Sequence, residues 1–396
     1  MSFIKDINKM FRQNIREMGM YIALFVIIAF FTIMTKGIFI SSRNISNLIN
    51  QTGYIAVLAV GMTLVIIIRH IDLSVGSLLG FLGAVAATAM VSWHLSVYVS
   101  ISIAVALGIL AGLFTAFLVA QMKIPAFVAT LAGWLGYRGA LQLTTMSKGT
   151  IVIPNATFNS IGNGYIPDIP DIGILPGVHK FTLILGVLVI LFFIINAMNN
   201  RRKMRAFNFK VLPMHLFIIK LVFVSALVGG ITWVLAGYRG LSWTAVIVSI
   251  VFLIYNFIMS RTVLGRHIYA VGGNPEAAEL SGISVKKITY VVFGSMGMLA
   301  ALSGILYASR FKSATTTGGE LCELYAIAAA FIGGVSATGG VGKITGSIIG
   351  ALVMMSLTNG MNLMGIDISY QHIVRALVLV AAVIFDVVTH HSREEK

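Results

Sequence analysis

Acidic and polar side chains interrupt the apolar stretches of the sequence, and these are the groups that could take part in chemistry. Asp72 and Ser74 lie in the interruption 69–74, and both residue types commonly begin helices because their oxygens accept hydrogen bonds from free amides. A carboxylate at the centre of a membrane span costs about 3 kcal/mol unless it has a partner. Asp72 is therefore expected either to cap the next helix or to line a polar passage, with Arg69 or His70 as its partner.

Amide and hydroxyl side chains within apolar stretches would suit an uncharged, hydroxyl-rich solute. Such groups form hydrogen bonds without the cost of burying a charge. Hydrogen bonding between helices is the competing interpretation for each of them. The candidate residues of a polar passage are Asn50, Gln51, Asp72, Ser74, Ser77, Asn359 and Asn362.

Sequence motifs of enzymes and metal sites are absent. The run 339–345 fails the P-loop pattern, because Ala337 occupies the first glycine position and Ile344 the Ser/Thr position. No zinc-protease motif, nucleophile elbow or Cys/His cluster occurs. The eight histidines are scattered apart from the pair at 390–391, and Cys322 is the single cysteine. We therefore predict no catalytic residue, no metal site, no cofactor and no ATP hydrolysis on this chain.

The elements that would position these residues are membrane-spanning helices. Of the 396 residues, 58% are hydrophobic and 10% charged, whereas soluble globular proteins are about half apolar and a quarter charged. So few charges cannot cover the surface of a soluble fold, which excludes a soluble enzyme and a disordered scaffold. A span needs about 20 mostly apolar residues. The sequence therefore predicts an all-α polytopic membrane protein with about 10 to 12 transmembrane helices.

Stretches without Asp, Glu, Lys or Arg give the positions of most spans. The long run 73–122 is expected to hold two helices joined by a turn at 91–94, where Trp and His suit the membrane interface. Two short stretches, 54–68 and 322–336, are expected to be broken or re-entrant. The other predicted spans are 18–35, 44–68, 125–146, 181–200, 221–238, 240–260, 288–309, 324–342, 344–366 and 370–389.

The distribution of positive charge predicts the orientation of the chain. The net charge is +15, with 28 Lys and Arg residues. If residues 1–17 are cytoplasmic, alternate crossings place 199–212, 261–287, Lys123 and the tail 390–396 on the same side. That side carries 16 of the 28 cations and the opposite loops carry seven. Because cytoplasmic loops are enriched in Lys and Arg, both termini are predicted to be cytoplasmic. The charge is thus a topology signal, and no nucleic acid is expected as a partner.

The longest predicted external segment is 147–180, where several Pro and Gly residues argue against regular structure. It is expected to be a loop or to contain a short helix. It serves either as a connector or as a docking surface for an external partner. The remainder, 18–389, is predicted to form a single transmembrane domain.

Two segments that lie 270 residues apart resemble each other. Residues 75–80 read Val-Gly-Ser-Leu-Leu-Gly, and residues 345–350 read Thr-Gly-Ser-Ile-Ile-Gly. Weak internal repeats are typical of transporters with duplicated halves, in which binding sites lie beside discontinuous helices. Close helix packing through small residues is the alternative explanation. The sequence therefore indicates two related halves.

A predicted cytoplasmic segment carries the signals of a short helix at 275–281. Asn274 is expected to be its N-cap, Pro275 its first residue and Gly282 its end, while Glu276 interacts favourably with the helix dipole. Seven residues are too few for a helix that is stable alone in water. The helix is therefore expected to pack under the membrane domain or to dock on a cytoplasmic partner. The candidate contact residues are Asn274, Pro275, Glu276, Ala277, Ala278, Glu279 and Gly282.

Four stretches, taken together, resemble the ribose/xylose-type sugar permeases of bacterial ABC importers. Residues 265–285, Gly-Arg-His-Ile-Tyr-Ala-Val-Gly-Gly-Asn-Pro-Glu-Ala-Ala-Glu-Leu-Ser-Gly-Ile-Ser-Val, are similar to the cytoplasmic signature of that family. Residues 71–77, Ile-Asp-Leu-Ser-Val-Gly-Ser, are similar to its first-half signature. Residues 123–131 and 323–350 also match. The resemblance covers nearly the whole chain between 44 and 386.

The resemblance implies a permease subunit of an ATP-driven bacterial importer for a monosaccharide such as xylose or ribose. It implies a dimer with a second permease copy, a separate cytoplasmic ABC ATPase that holds ATP and Mg, and an external sugar-binding protein, periplasmic or lipid-anchored. The location is the bacterial cytoplasmic (inner) membrane. Within 261–287, the 275–281 helix resembles the coupling helix. Additional sequence at 199–240 is similar to the longer xylose and multiple-monosaccharide branch, whereas Arg69 and His70 replace small residues of many relatives.

Two other classes of protein compete with this prediction. An ion-coupled secondary transporter of a small polar solute would also have duplicated halves and broken helices. It would need carboxylates within the membrane to carry the coupling charge, and Asp72 and Asp386 are the clear candidates in the sequence. A membrane enzyme would need a catalytic set, and the sequence contains none.

Overall fold

The computed structural model of the protein describes residues 15–170, 173, 175–209 and 211–394. These residues form fifteen α-helices, one short 3-10 helix (Ile38–Ile40) and two short strands, which confirms the predicted all-α polytopic class. The helices are α1 (Ile15–Met34), α2 (Ser42–Ile67), α3 (Val75–Val91), α4 (Val97–Ala120), α5 (Ala126–Thr145), α6 (Ala156–Asn163), α7 (Lys180–Ala206), α8 (Met214–Ala236), α9 (Trp243–Arg261), α10 (Val263–Gly273), α11 (Pro275–Leu280), α12 (Val285–Phe311), α13 (Cys322–Ile332), α14 (Ile344–Leu363) and α15 (Ile368–Glu394).

Among the described helices, seven are long and apolar enough to span a membrane, namely α2, α4, α7, α8, α9, α12 and α14. Four shorter apolar helical stretches lie in α1, α3, α13 and α15. Together these segments agree with the predicted range of about 10 to 12. The predicted cytoplasmic segment 1–17 lies mostly outside the described residues.

The predicted breaks in the apolar stretches are confirmed in part. The run 73–122 does divide at the expected turn, because α3 ends at Val91 and α4 begins at Val97. The short element predicted near 322–336 is α13, with 11 residues. The prediction of a short or broken crossing at 54–68 is wrong, because these residues belong to α2, a continuous helix of 26 residues. Within this helix, Thr52 Oγ1 donates to the Leu48 carbonyl at 2.7 Å.

The segment predicted to be irregular, 147–180, contains one strand and one short helix. Strand β1 (Thr150–Val152) pairs antiparallel with β2 (Ser313–Thr315), with Thr150 opposite Thr315. Helix α6 follows, and the Asn155 side chain caps it by accepting from Phe158 N at 3.0 Å. The short helix was one of the expected outcomes, whereas the strand was not predicted because its partner lies more than 150 residues away.

The described chain divides into two compact units. The first comprises residues up to Phe39, Leu48–Gly164 and residues from Thr244 onward, and the second comprises Ile40–Asn47 and Tyr165–Trp243. In the first unit, α2, α3 and α12 carry most of the fully buried side chains. Large examples are Ile55, Leu58, Met62, Leu79, Leu82 and Phe293.

In the second unit, α7 and α8 pack against each other and expose large apolar side chains. Asp168 accepts hydrogen bonds from Lys180 N at 3.0 Å and Phe181 N at 2.8 Å, at the start of α7. Desolvation alone would raise the pKa of Asp168, but the amide hydrogen bonds from Phe181 and Lys180 hold that pKa below its ordinary value of 3.8. The carboxylate therefore stabilises the N-terminus of α7.

Candidate functional site

The break between α2 and α3 is built around Asp72. This residue is 4% exposed, and its Oδ1 accepts hydrogen bonds from Ser74 N at 2.9 Å and Ser74 Oγ at 2.6 Å. Such a bond from an Asp to the amide two residues later closes a turn. Ser74 is the N-cap residue of α3, although its own side chain makes no capping bond. Asp72 thus shapes the turn that leads into the helix and is not itself the cap.

The expected pairing of Asp72 with Arg69 is wrong. The Arg69 Nε donates to the Gly272 carbonyl at 2.7 Å, and a second guanidinium nitrogen donates to the Gly273 carbonyl. Both carbonyls lie at the C-terminal end of α10, where the helix dipole favours a cation. His70 does not pair with Asp72 either; its ring lies beside Phe293, with 5.9 Å between centroids.

Amide side chains on three helices form two hydrogen-bonded pairs. Asn359 Nδ2 on α14 donates to Gln51 Oε1 on α2 at 3.3 Å. Asn362 Oδ1, also on α14, accepts from Gln371 Nε2 on α15 at 2.8 Å. Of the predicted passage residues, Gln51 and Asn359 therefore bond to each other, whereas Asn362 bonds to Gln371. Asn50 is buried on α2.

Arg375 extends the Asn362–Gln371 pair along α15. The residue is 7% exposed, and its guanidinium donates to Gln371 Oε1 and to the Tyr325 hydroxyl on α13. It also lies 5.1 Å from the centroid of the Tyr325 ring, which is a cation–π geometry. The sequence did not identify Arg375 as a site residue. The available signal was its position as a cation within a predicted span.

The sequence also missed Glu323 as a buried carboxylate. It lies in the first turn of α13 and is 6% exposed. Its Oε2 has no hydrogen-bond partner within the part of the chain that the structure describes. The signal was present in the sequence, because Glu323 directly precedes the apolar run 324–342. The side chain of Asp386, the other carboxylate named from the sequence, lies outside the described residues.

The two similar segments, 75–80 and 345–350, occupy comparable places around α13. Each lies in the first turns of a helix, α3 or α14. A Cβ added to Gly80 would overlap the carbonyl of Gly318, which lies just before α13, and a Cβ added to Gly350 would overlap the Ala329 carbonyl within α13. In each segment, a glycine therefore allows close contact with the backbone of α13 or of the turn just before it. Ser77, between the glycines of the first segment, is buried.

The predicted short helix exists as α11, Pro275–Leu280, and its end signals act as expected. Asn274 Oδ1 accepts from Ala277 N at 3.0 Å, and Pro275 occupies the first turn. Gly282 follows the helix with a φ of +82°, a left-handed conformation that favours glycine. The helix is one residue shorter than predicted.

The exposed face of helix α11 carries both acidic and apolar side chains. Glu276, Ala277 and Glu279 are exposed, and the Leu280 side chain is 91% exposed. Ala278 is only 4% exposed. The prediction that Ala278 contacts a partner is therefore wrong, because its side chain packs inside the protein. Leu280 was missed, since the sequence does not reveal which face of so short a helix is covered.

Comparison with known proteins identifies the family of the chain. The family described as branched-chain amino acid transport system / permease component matches residues 44–383. The chain belongs to this permease family. It is 38% identical to the xylose transport system permease protein XylH of Haemophilus influenzae over 374 residues, which cover 94% of this chain and 96% of the relative. No solved structure matches it.

Other relatives of the permease support the same conclusion. It is 37% identical to XylH of Escherichia coli over 377 residues, which cover 95% of this chain and 93% of the relative. It is 35% identical to the ribose import permease protein RbsC of Haemophilus influenzae over 373 residues, 93% of each chain. The resemblance to ribose/xylose-type permeases is thus confirmed over nearly the full length. The permease is a multi-pass transport component and not an enzyme.

Proposed function

We propose that this chain is the membrane permease subunit of an ATP-driven bacterial importer of a monosaccharide such as xylose or ribose. The observation that carries the proposal is the similarity of 35–38% to xylose and ribose permeases over nearly the whole chain. The doubly capped and exposed helix α11 supports it, because a permease without its own nucleotide site needs a contact surface for a separate motor. ATP and Mg would be held by that partner chain, and this chain would carry no cofactor.

The distribution of positive charge supports one orientation of the chain. Both termini and α11 lie in the cytoplasm, and the β1–β2 sheet and α6 lie outside, in the bacterial cytoplasmic membrane. An external sugar-binding protein docks on the outer side, and a second copy of the permease completes a homodimer. In this arrangement the side chains of Glu276, Ala277 and Leu280 bind in a surface groove of the ABC ATPase. The two acidic residues of α11, Glu276 and Glu279, favour a groove with a basic rim.

The mechanism is alternating access driven through α11. ATP binding brings the two ATPase subunits together, and this movement displaces the α11 helices of the two permease copies. The spans then open to the outside. ATP hydrolysis and product release return the spans to their starting arrangement. Inside the first unit, Gln51, Asn359 and Asn362 offer neutral hydrogen-bonding groups that suit sugar hydroxyls. Asp72 shapes the break at the start of α3, where a non-helical backbone must face protein or water.

Reconstitution tests this function against ion-coupled transport. The permease, its ATPase and its binding protein are placed in liposomes, and uptake of labelled xylose and ribose is measured with and without ATP. We expect uptake to require both ATP and the loaded binding protein. Uptake driven by an ion gradient in liposomes that contain the permease alone would establish the secondary transporter instead.

A substitution on α11 tests the docking role in the same liposomes. Ala277→Trp adds bulk to an exposed position of the helix and should abolish ATP-driven uptake while the permease remains inserted. Ala206→Trp is the matched control, because Ala206 is also exposed at a helix end on the predicted cytoplasmic side. Wild-type uptake by Ala277→Trp would refute the role of α11.

A further inference from the structure

Three backbone segments of the first unit meet at one point beside α11. They are the end of α2 at Ile67, the end of α10 at Gly272, and the turn that precedes α14, at Gly340. Gly340 N donates to the Ile67 carbonyl at 2.9 Å. A Cβ added to Gly272 would overlap the Ile67 carbonyl oxygen. The three segments are therefore in direct backbone contact, with no room for a side chain between them.

Arg69 closes this junction from the side of α2. Its Nε donates to the Gly272 carbonyl at 2.7 Å and a second nitrogen donates to the Gly273 carbonyl. Gly273 directly precedes Asn274, the N-cap of α11. The Arg69 backbone has a φ of +66°, which is uncommon for a residue other than glycine. We name the contact of Arg69 with the carbonyls of Gly272 and Gly273 the Arg69 clamp.

A second contact holds α10 to the turn before α14. The Tyr269 hydroxyl donates to the Gly342 carbonyl at 2.7 Å. Helix α10 is thus attached both to the chain that leads into α3 and to the chain that leads into α14. These are the two helices that begin with the similar segments 75–80 and 345–350. A displacement of α11 would pass through α10 to the starts of both helices.

We propose that Arg69 is a positioning residue that transmits the movement of α11 to the break between α2 and α3. This inference rests on the proposed function, in which a partner ATPase moves α11. Arginine suits the task because its planar guanidinium can donate to two acceptors at once, whereas the ammonium of lysine acts as a single point charge. The Asp72 turn lies three residues beyond Arg69, so that a shift of the clamp displaces the entry to α3.

The experiment compares transport with ATP consumption in the complete reconstituted complex. Variants Arg69→Ala and Arg69→Lys are assembled with the ATPase and the loaded binding protein in liposomes. We expect Arg69→Ala to assemble and hydrolyse ATP but to import about tenfold less sugar per ATP. Arg69→Lys should give an intermediate value. Lys123→Ala is the matched control, because Lys123 is also an exposed cation with positive φ in a turn between helices. It should import as much sugar per ATP as the wild type.

The outcomes separate transmission from a structural role. Wild-type import per ATP in an assembled Arg69→Ala complex would overturn the proposal. If Arg69→Ala does not assemble, Arg69→Lys decides, and wild-type import per ATP in that variant would overturn the proposal, because a single ammonium does not reproduce the guanidinium contacts with both carbonyls. Failure of the wild-type complex to import sugar with ATP would instead reject the proposed function. If Ala277→Trp blocks uptake and Arg69→Ala does not, only the Arg69 clamp fails.

Discussion

Leu280 offers the sharpest test of how the permease binds its motor. The side chain is 91% exposed at the end of α11, next to the exposed Glu279. Burial of a leucine side chain contributes about 1.5–3 kcal/mol. If Leu280 inserts into a groove of the ATPase, Leu280→Ala should remove most of that contribution. We therefore expect the affinity of the ATPase for the permease to fall about 10- to 150-fold.

The assay measures binding and not transport. The permease is held in nanodiscs on a biosensor and titrated with the purified ATPase, and the Kd of each variant is compared. Leu212→Ala is the control, because Leu212 is an exposed leucine in the other predicted cytoplasmic segment. Neither substitution should change the Tm of the permease, because exposed positions contribute little to stability. An unchanged Kd for Leu280→Ala would refute the assignment of this face to the ATPase.

Three further perturbations follow from the structure. Gly350→Ala should lower the free energy of unfolding by about 1–3 kcal/mol through overpacking, seen as a lower Tm, whereas Gly136→Ala, which has open space around it, should not; equal Tm values would contradict the close packing. Asp72→Asn should keep normal expression and uptake, because an amide oxygen also accepts from Ser74 N; loss of uptake at normal expression would place Asp72 in the passage. Asp168 has a lowered pKa, so its stabilising effect is present above pH 3.8 and is lost as pH falls through the lowered pKa; the Tm difference between wild type and Asp168→Asn should shrink below pH 3.8, and a constant difference would refute it.

The features that the sequence predicted well depend on local interactions. Helix α11 could be placed within one residue because its signals act within a few positions, as when Asn274 accepts from Ala277 N. The turn between α3 and α4 was found for the same reason. The class of protein followed from composition alone, because the cost of exposing apolar side chains to water does not depend on the fold.

The features that the sequence missed depend on contacts between distant residues. Arg69 was expected to pair with the nearby Asp72, but its partners are carbonyls more than 200 positions away. The burial of Glu323 at the start of α13 and of Arg375 beside Tyr325 likewise requires knowledge of which helices are neighbours. For α11, local signals define the ends of the helix, while packing decides that Ala278 is covered and Leu280 is free.

The short length of α13 limits how much of the hydrocarbon layer this helix can cross. Eleven helical residues extend about 16 Å, roughly half of the 30 Å hydrocarbon thickness. The non-helical chain that follows, 333–343, has peptide groups that must face protein or water. Part of this chain packs against neighbouring segments, because Gly340 N donates to the Ile67 carbonyl. Helix α13 alone therefore cannot cross the hydrocarbon layer, and a crossing at this place needs non-helical chain whose backbone is satisfied by its neighbours.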